Sequence, residues 1–209
     1  MSMKMQHRMI YILDDEPEMV KALGRLLRAK GFKTHGFTSA REFLEHNVPM
    51  GVACLILDVA MPELNGLELQ KCLLREGNPI PIIFLTGHGD IPMSVRAIKA
   101  GASDFLTKPV DNAALLNAVH AALLESENRI KKQSDTALWS SRLATLTGRQ
   151  QEVLELVMEG KLNKQIAAEL GTGEQNIKLH RAHIMQKMGV STVAELVRVI
   201  ERLEINKIS

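Results

Sequence analysis

The chain has 209 residues, a formal net charge of +2 and an apolar fraction of 45%. No apolar stretch reaches the roughly 18 residues that cross a bilayer, and the N-terminal "MSMKMQHRM" lacks the apolar core of a signal peptide. We therefore expect a cytoplasmic protein without membrane contact. Neither Cys54 nor Cys72 fits a metal-binding spacing, and Cys54 lies in an apolar run where a small buried thiol is expected.

Short apolar runs rich in β-formers alternate with amphipathic helical segments from residue 8 to about residue 125. The predicted strands are Met9–Leu13, Lys33–Phe37, Val52–Leu57, Ile80–Leu85 and Ser103–Thr107. The helix ends between them carry capping signals at Pro17, Gly31, Ser39 with Glu42, Asn65 with Glu68, Asp90 and Gly101. This alternation predicts a doubly wound parallel sheet covered by helices on both faces, with a ligand site at the carboxyl ends of the strands.

Polar side chains with related chemistry stand at the ends of four of these strands. Asp14 and Asp15 follow the first strand, and Asp58 comes at the end of the third. Thr86 ends the fourth strand, and Lys108 follows the fifth. Any one of them fits a helix cap or a loop, but carboxylates, a hydroxyl and an ammonium at one edge of a sheet predict a functional site.

The chemistry of this cluster favours a metal ion and a phosphoryl group. Clustered carboxylates without Cys or His at ligand spacing suit a hard octahedral cation, which indicates Mg²⁺, or Mn²⁺ in its place. Beside it, Lys108 supplies a second positive charge and Thr86 a hydroxyl for the phosphoryl oxygens. Asp58 is the candidate nucleophile, because a carboxylate can form an aspartyl-phosphate.

The rival hypothesis for this half is an aspartyl-phosphate-forming, phosphatase-like enzyme with a helical accessory domain. The predicted loops at the strand ends are only a few residues long and leave little to shield or select a substrate. A nucleotide site is also disfavoured, because "TGHG" lacks the glycine spacing and the Lys-Ser/Thr of a P-loop. His88 in that segment is interpreted as a solvated loop residue.

The motifs "LDDE", "LILDVAMPELNG", "FLTGHGD" and "FLTKP" resemble those of the receiver domain of two-component response regulators over nearly all of residues 8–125. The resemblance implies a flavodoxin-like α/β fold in which Asp58 accepts a phosphoryl group from a sensor histidine kinase. It implies that Asp15, Asp58 and the backbone carbonyl of Ala60 ligate Mg²⁺, while Asp14 acts largely through water.

The same resemblance implies the remaining parts of the receiver. Lys108 contacts the phosphoryl group, Thr86 turns toward it, and Phe105 fills the space that Thr86 vacates; plain core packing is the alternative for Phe105. The Lys108–Pro109 bond is expected to be cis, which X-Pro chemistry permits. Phosphorylation is expected to promote a homodimer through the fourth helix and fifth strand, with Val95, Lys99 and Asp104 near the contact.

Residues 126–142 are predicted to be a linker, because the chain turns polar after Leu124 with "ESENRIKKQSDT". A solvated helix is preferred there over a flexible tether. The predicted organisation is a receiver over residues 6–125, this linker, and a small all-α DNA-binding domain over residues 143–209. The excess of Lys and Arg over Asp and Glu falls in residues 126–209, which fits a polyanion partner or an ordinary solvated surface.

The C-terminal third is predicted to contain four short helical units. Thr147 with Gln150 has capping-box spacing, and Ala167 before the glycine-bearing turn that follows Leu170 indicates a helix-turn-helix. The segments "LTGRQQEVLELV", "NKQIAAELG", "IKLHR" and "AELVR" resemble the LuxR-type DNA-binding domain over about Leu143–Leu203. Together the two halves resemble response regulators of the FixJ/NarL family, most strongly the FixJ-like members.

Three positions depart from the usual LuxR-type pattern. Gln150 stands where the family usually has Glu, Gly173 where it usually has a capping Ser, and Asn176 where it usually has Thr. Gln150 preserves the capping box, and Gly is acceptable as a cap.

Helical geometry divides the roles of the predicted recognition helix, which begins near Glu174. Ile177, Ile184 and Met188 face the core, and the opposite side carries Lys178, Leu179, Ala182 and Gln186. The resemblance also makes Lys178, Leu179 and Ala182 the readers of base edges in the major groove. Phosphate contacts are predicted for Arg181, His183 and Lys187 on the flanks and for Lys164 on the preceding helix.

Duplex DNA in promoter half-sites is the favoured ligand. Common RNA readers stack bases on aromatic side chains, and residues 146–209 contain none. A structural bundle with a charged solvated face is the other alternative. The sequence thus predicts a non-enzymatic, phosphorylation-dependent transcription regulator.

Overall fold

The computed structural model describes residues 8–46, 51–87 and 91–208, with the side chains of the final helix described through Leu203. The strands are β1 (Met9–Leu13), β2 (Lys33–Phe37), β3 (Ala53–Asp58), β4 (Ile82–Thr86) and β5 (Asp104–Thr107). The helices are α1 (Pro17–Ala29), α2 (Ala40–Glu45), α3 (Gly66–Arg75), α4 (Ile91–Lys99), α5 (Asn112–Leu143), α6 (Gly148–Met158), α7 (Asn163–Glu169), α8 (Glu174–Met188) and α9 (Val193–Ile208). The predictions for His88 and Asp90 lie outside the described residues.

The chain separates into two compact units, and the division falls within α5, between Ile130 and Lys131. The helix α5 is continuous over residues 126–142, the segment predicted as a helix or a tether. Within the described part of the chain, no helix is both long enough and apolar enough to cross a bilayer.

The first unit is built on a parallel sheet with the strand order β2-β1-β3-β4-β5. Side chains alternate between its two faces, so that Ile10 and Ile12 pack in one apolar layer while Tyr11 and Leu13 pack in the other. The predicted doubly wound sheet is confirmed. Because β1 lies between β2 and β3, the ends of β1 and β3 are direct neighbours.

Some strand bounds differ from the prediction. The strand β4 begins at Ile82 rather than Ile80, because Pro81 has no N–H to donate to a ladder. The carbonyl of Pro81 still accepts a hydrogen bond from Leu55 N at 2.9 Å. The strands β3 and β5 each start one residue later than predicted.

The buried thiol predicted at Cys54 is confirmed. Cys54 lies within β3 and is fully buried, and burial raises the pKa of its thiol to about 12. A neutral thiol of this kind is a poor nucleophile and a poor metal ligand.

The second unit surrounds a separate apolar core to which α6, α7, α8 and α9 all contribute. Thr147 and Gln150 form the predicted capping box at the start of α6, with bonds of 3.1 and 3.4 Å. A short turn with Gly171 at a φ of 60° joins α7 to α8. The predicted helix-turn-helix is therefore present, and α8 is its longer second helix.

Candidate functional site

Three carboxylates meet at the carboxyl ends of β1 and β3. Asp14 and Asp15 directly follow β1, Asp58 is the last residue of β3, and one oxygen from each lies within 4.8 Å of the others. Asp14 and Asp58 are 1% and 4% exposed, while Asp15 is exposed. The pairing of β1 with β3 brings these acids together, as their positions at strand ends predicted.

Lys108 reaches this cluster from the end of β5. Its Nζ donates a hydrogen bond to Asp14 Oδ2 at 2.7 Å and lies 3.1 Å from Asp58 Oδ1. Its backbone N–H donates to Thr86 O at 2.7 Å, which fixes its position beside β4. The Lys108–Pro109 peptide bond is cis. The carboxylates and the ammonium therefore share one crevice.

The electrostatics of the crevice follow from burial and mutual repulsion. Burial raises the pKa of the Asp58 carboxyl, the charges of Asp14 and Asp15 raise it further, and Lys108 offsets only part of this. Burial alone would lower the pKa of Lys108, but its hydrogen bond to Asp14 and its ion pair with Asp58 outweigh that effect and raise the pKa. Of the side chains that the structure describes, one ammonium faces three carboxylates, which leaves the crevice short of positive charge.

The donor set fits a hard divalent cation. Among the described residues, no group donates a hydrogen bond to the buried Asp58 Oδ1, although Lys108 Nζ lies at ion-pair distance from it, at 3.1 Å. A buried carboxylate oxygen left in this state is costly unless a cation or another donor satisfies it. Carboxylate oxygens are the ligands that Mg²⁺ and Mn²⁺ prefer.

The contribution of Gly66 to this site was missed by the sequence analysis. A Cβ built on Gly66 would lie 2.4 Å from Asp58 O, so only glycine allows α3 to begin this close to the end of β3. The available signal was the glycine that directly follows Asn65, the predicted cap of this helix.

The other predicted receiver residues differ in their exposure to solvent. Thr86 ends β4 and is 2% exposed, and Ala60 is exposed two positions after Asp58. Phe105 is partly buried and packs on the core, with its ring centroid 6.1 Å from that of Phe84. Thr86 and Phe105 thus lie on adjacent strands.

The helix α4 presents an apolar stripe to solvent. Ile91, Val95 and Ile98 are 80%, 44% and 47% exposed, and their spacing places them on one helical face. Lys99 is exposed at the end of α4, and Asp104 is partly buried with its carboxylate accepting the Phe105 N–H at 2.8 Å. Exposed apolar side chains in a cluster of this kind mark interaction surfaces.

The helix α8 in the second unit has the predicted division of faces. Ile177, Ile184 and Met188 are at most 1% exposed and belong to the core, which confirms that part of the prediction. The opposite face is exposed and carries Lys178, Leu179, Ala182 and Gln186. Leu179 on this face is 56% exposed.

The flanks of α8 carry cations with different surroundings. His183 and, on α7, Lys164 are exposed. Arg181 is held by Asn163, whose Oδ1 accepts from Arg181 Nη1 at 2.8 Å. Lys187 donates from Nζ to two acceptors. The sequence indicated the flank positions of these cations but not their partners.

Hydrogen bonds join the end of α8 to residues on both sides of the start of α6. Lys187 Nζ donates to Thr145 O at 2.8 Å and to Gln150 Oε1 at 2.9 Å. Arg142 Nη1 donates to Met188 O at 2.8 Å, where α8 ends and its carbonyls lack helical partners. Both cations also interact favourably with the negative end of the helix dipole.

Comparisons with known proteins assign both units to families. Residues 10–120 match the response regulator receiver domain, and residues 144–200 match the luxR family of bacterial regulatory proteins. The response regulator protein TmoT of Ectopseudomonas mendocina is 46% identical over 95% of this chain and 90% of its own length.

The chain belongs to the FixJ/NarL-type response regulators.

Solved structures agree with this assignment. The response regulator StyR is 43% identical over 94% of this chain and 99% of its own, with a TM-score of 0.82. Full-length FixJ from B. japonicum is 35% identical over 96% of this chain and 98% of its own, with a TM-score of 0.57. This response regulator therefore has a receiver domain and a LuxR-type DNA-binding domain and is homologous to transcriptional regulators.

Proposed function

We propose that Asp58 of this response regulator accepts a phosphoryl group from a sensor histidine kinase. The observation that carries the proposal is the buried Asp58 Oδ1, which has no hydrogen-bond donor in the described part of the chain and lies 3.1 Å from Lys108 Nζ beside two further carboxylates. An oxygen in this state is available both to a cation and to an electrophilic phosphorus.

In the proposed transfer, a carboxylate oxygen of Asp58 attacks the phosphorus of a phosphohistidine. The O–P bond forms as the P–N bond breaks, and the electron pair stays on the imidazole nitrogen of the kinase. Lys108 neutralises charge on the phosphoryl oxygens, and Thr86 turns to donate a hydrogen bond to one of them. Phe105 then occupies the space that Thr86 leaves.

Asp14, Asp15 and Asp58, with the Ala60 carbonyl, are the proposed holders of Mg²⁺ or Mn²⁺. The bound ion supplies positive charge that offsets repulsion between the carboxylates and the incoming phosphoryl group. The protein residues hold the Asp58 carboxylate in position and exclude bulk water from it.

Phosphorylation is proposed to promote a homodimer through α4 and β5. Shifting a 1:99 population to 99:1 takes roughly 5.5 kcal/mol of differential free energy, whereas an exposed ion pair supplies about 0–1 kcal/mol. Lys99 and Asp104 therefore need apolar support. Val95 and its exposed neighbours Ile91 and Ile98 offer it.

The dimer is proposed to bind double-stranded DNA at promoter half-sites. Lys178, Leu179 and Ala182 meet base edges in the major groove, because they occupy the exposed face of α8 near its N-terminus. Phosphate contacts come from Lys164, Arg181, His183 and Lys187. These contacts give affinity without sequence preference.

The proposed domain bounds are residues 6–125 for the receiver, 126–142 for the linker and 143–209 for the DNA-binding domain. We propose that the protein acts in the cytoplasm, where a kinase domain and DNA are both accessible. The phosphatase-like alternative has less support, because the relatives TmoT and FixJ are named as regulatory proteins.

Replacing the nucleophile tests the proposed function. Asp58→Asn is expected to abolish labelling by radioactive acetyl phosphate with Mg²⁺, because an amide cannot form the aspartyl-phosphate. Asp111→Asn is the matched control, since Asp111 only caps α5 through the Ala114 N–H at 2.9 Å. If labelling persists in Asp58→Asn and disappears in Asp14→Asn, the proposed assignment of the nucleophile to Asp58 is wrong.

A further inference from the structure

Two cations on the flanks of α8 are each held by a carboxamide oxygen. Arg181 Nη1 donates to Asn163 Oδ1 at 2.8 Å, and Lys187 Nζ donates to Gln150 Oε1 at 2.9 Å. Arg181 and Lys187 are both partly buried, so these bonds fix side chains that would otherwise be mobile in solvent. Flexible cations lose conformational entropy when they bind phosphate, and a fixed cation has less to lose.

Other cations of the same unit have carboxylate partners. Lys161 lies between Glu159 at 2.9 Å and Glu169 at 2.6 Å, and Arg149 pairs with Glu152 at 2.7 Å. These pairs neutralise the cation they hold.

Arg181 and Lys187 differ from these cations. Across the described residues, neither has a carboxylate within 4.0 Å. A carboxamide accepts the same hydrogen bond as a carboxylate but carries no charge. The full positive charge of both side chains therefore remains available to an anion.

The holding residues are themselves fixed. Gln150 is 6% exposed, and its Oε1 also accepts the Thr147 N–H at 3.1 Å in the capping box of α6. Asn163 is the first residue of α7, the helix that packs against α8. Gln150 also stands where Glu is usual in the LuxR-type pattern, so this chain has a neutral side chain where a charged one is usual.

We infer, on the basis of the proposed DNA-binding function, that Gln150 and Asn163 are positioning residues. They hold Lys187 and Arg181 at the edges of the recognition helix without cancelling their charge. Their amide groups thereby set the affinity for DNA phosphates, although neither residue needs to touch the DNA.

The isosteric changes Gln150→Glu and Asn163→Asp test this inference. Each keeps an acceptor oxygen in place but adds a negative charge, so each is expected to remove about one phosphate contact. Binding to a mixed-sequence duplex should weaken roughly fivefold near 0.15 M salt, and the slope of log affinity against log salt should become shallower by about 0.9. Fluorescence anisotropy over a salt series measures both quantities.

Stability separates this effect from damage to the fold. Acidic residues are favoured in the first turn of a helix, and Gln150 and Asn163 both lie in first turns. The melting temperature should therefore stay the same or rise while DNA affinity falls. A residue with only a structural role would give unchanged affinity for DNA, and that result would overturn the inference.

Two further variants make the test specific. Gln151→Glu adds the same charge at the next, exposed position of α6 and is expected to change affinity much less than Gln150→Glu. In a Lys187→Ala background, Gln150→Glu should cause little further loss, because the cation through which it acts is gone. Equal losses from the two glutamate substitutions would contradict the inference. A wild-type chain that binds no duplex DNA would instead contradict the proposed function itself.

Discussion

Lys178 and Lys187 share one helix but have different surroundings. Lys178 is exposed on the outer face of α8 and lies 3.6 Å from Glu174, a distance at which an exposed pair contributes little. Lys187 donates hydrogen bonds to Thr145 and Gln150. We therefore expect Lys178 to be free to reach a base edge, while Lys187 is held at a fixed position on the flank.

The Lys178→Ala substitution is expected to reduce the difference in binding affinity between specific and random DNA. A lysine on a guanine edge discriminates by about 1–3 kcal/mol, whereas a phosphate contact does not distinguish sequences. Lys187→Ala should weaken both DNAs about equally and make the salt slope shallower by about 1. Lys187→Ala should also lower the free energy of unfolding by about 1 kcal/mol, because the two hydrogen bonds that Lys187 donates are lost.

Affinities for a selected site and for random duplex, measured for both variants across salt concentrations, check this prediction. If Lys178→Ala weakens both DNAs by the same factor, the orientation assigned to α8 is wrong.

At the scale of elements, α7 begins with an incomplete cap. Leu162 holds the N-cap position but has no side-chain acceptor, and its N–H donates to Gln165 Oε1 at 2.8 Å. Its side chain is 70% exposed, so it adds little to the core. One half of a capping box is present, and the half that would satisfy a helical N–H is missing.

The Leu162→Ser substitution is expected to stabilise the second unit by about 0.5–2 kcal/mol, because Ser supplies the missing acceptor. Leu162→Ala is the matched control, since it removes the exposed side chain without adding an acceptor. Urea unfolding followed by the fluorescence of Trp139, which packs on the core of this unit, measures the change. Equal stabilisation by both variants would show that removal of the apolar side chain, and not capping, is responsible.

The bounds of strands and helices were predicted best where the local sequence pattern alone determines them. The bounds of β1 and β2 match the prediction, whereas β4 was extended over Pro81 because Ile80 continues the apolar run. On α5, Leu115 is fully buried and the adjacent Leu116 only partly so, although the two residues are chemically identical. Packing selects the face of a helix that is apolar on several sides.

The candidate site was predictable in part for a topological reason. Neighbouring parallel strands end at one edge of the sheet, so acids after β1 and β3 had to meet. No such rule predicts the partners of Arg181 and Lys187, because each partner is distant in sequence. Asn163 is 18 residues from Arg181, and Gln150 is 37 residues from Lys187. Gln150 was predicted only as a helix cap, and its second hydrogen bond depends on how α6 packs against α8.

At the scale of the whole molecule, an acidic crevice in one unit is proposed to control DNA binding by a cationic helix in the other. The proposed link is a dimer formed when Asp58 carries a phosphoryl group, since two recognition helices together can bind two half-sites. Effective concentration then raises affinity without any new contact within a half-site.

Sedimentation velocity of the full chain with a fluorescent mixed-sequence duplex tests this account most directly. Beryllofluoride with Mg²⁺, which imitates the phosphoryl group, is expected to raise the bound fraction of the duplex and to give a complex that contains two chains. Asp58→Asn is expected to remain at the unactivated level. An equal bound fraction and equal complex mass with and without beryllofluoride would contradict the central claim that Asp58 controls DNA binding.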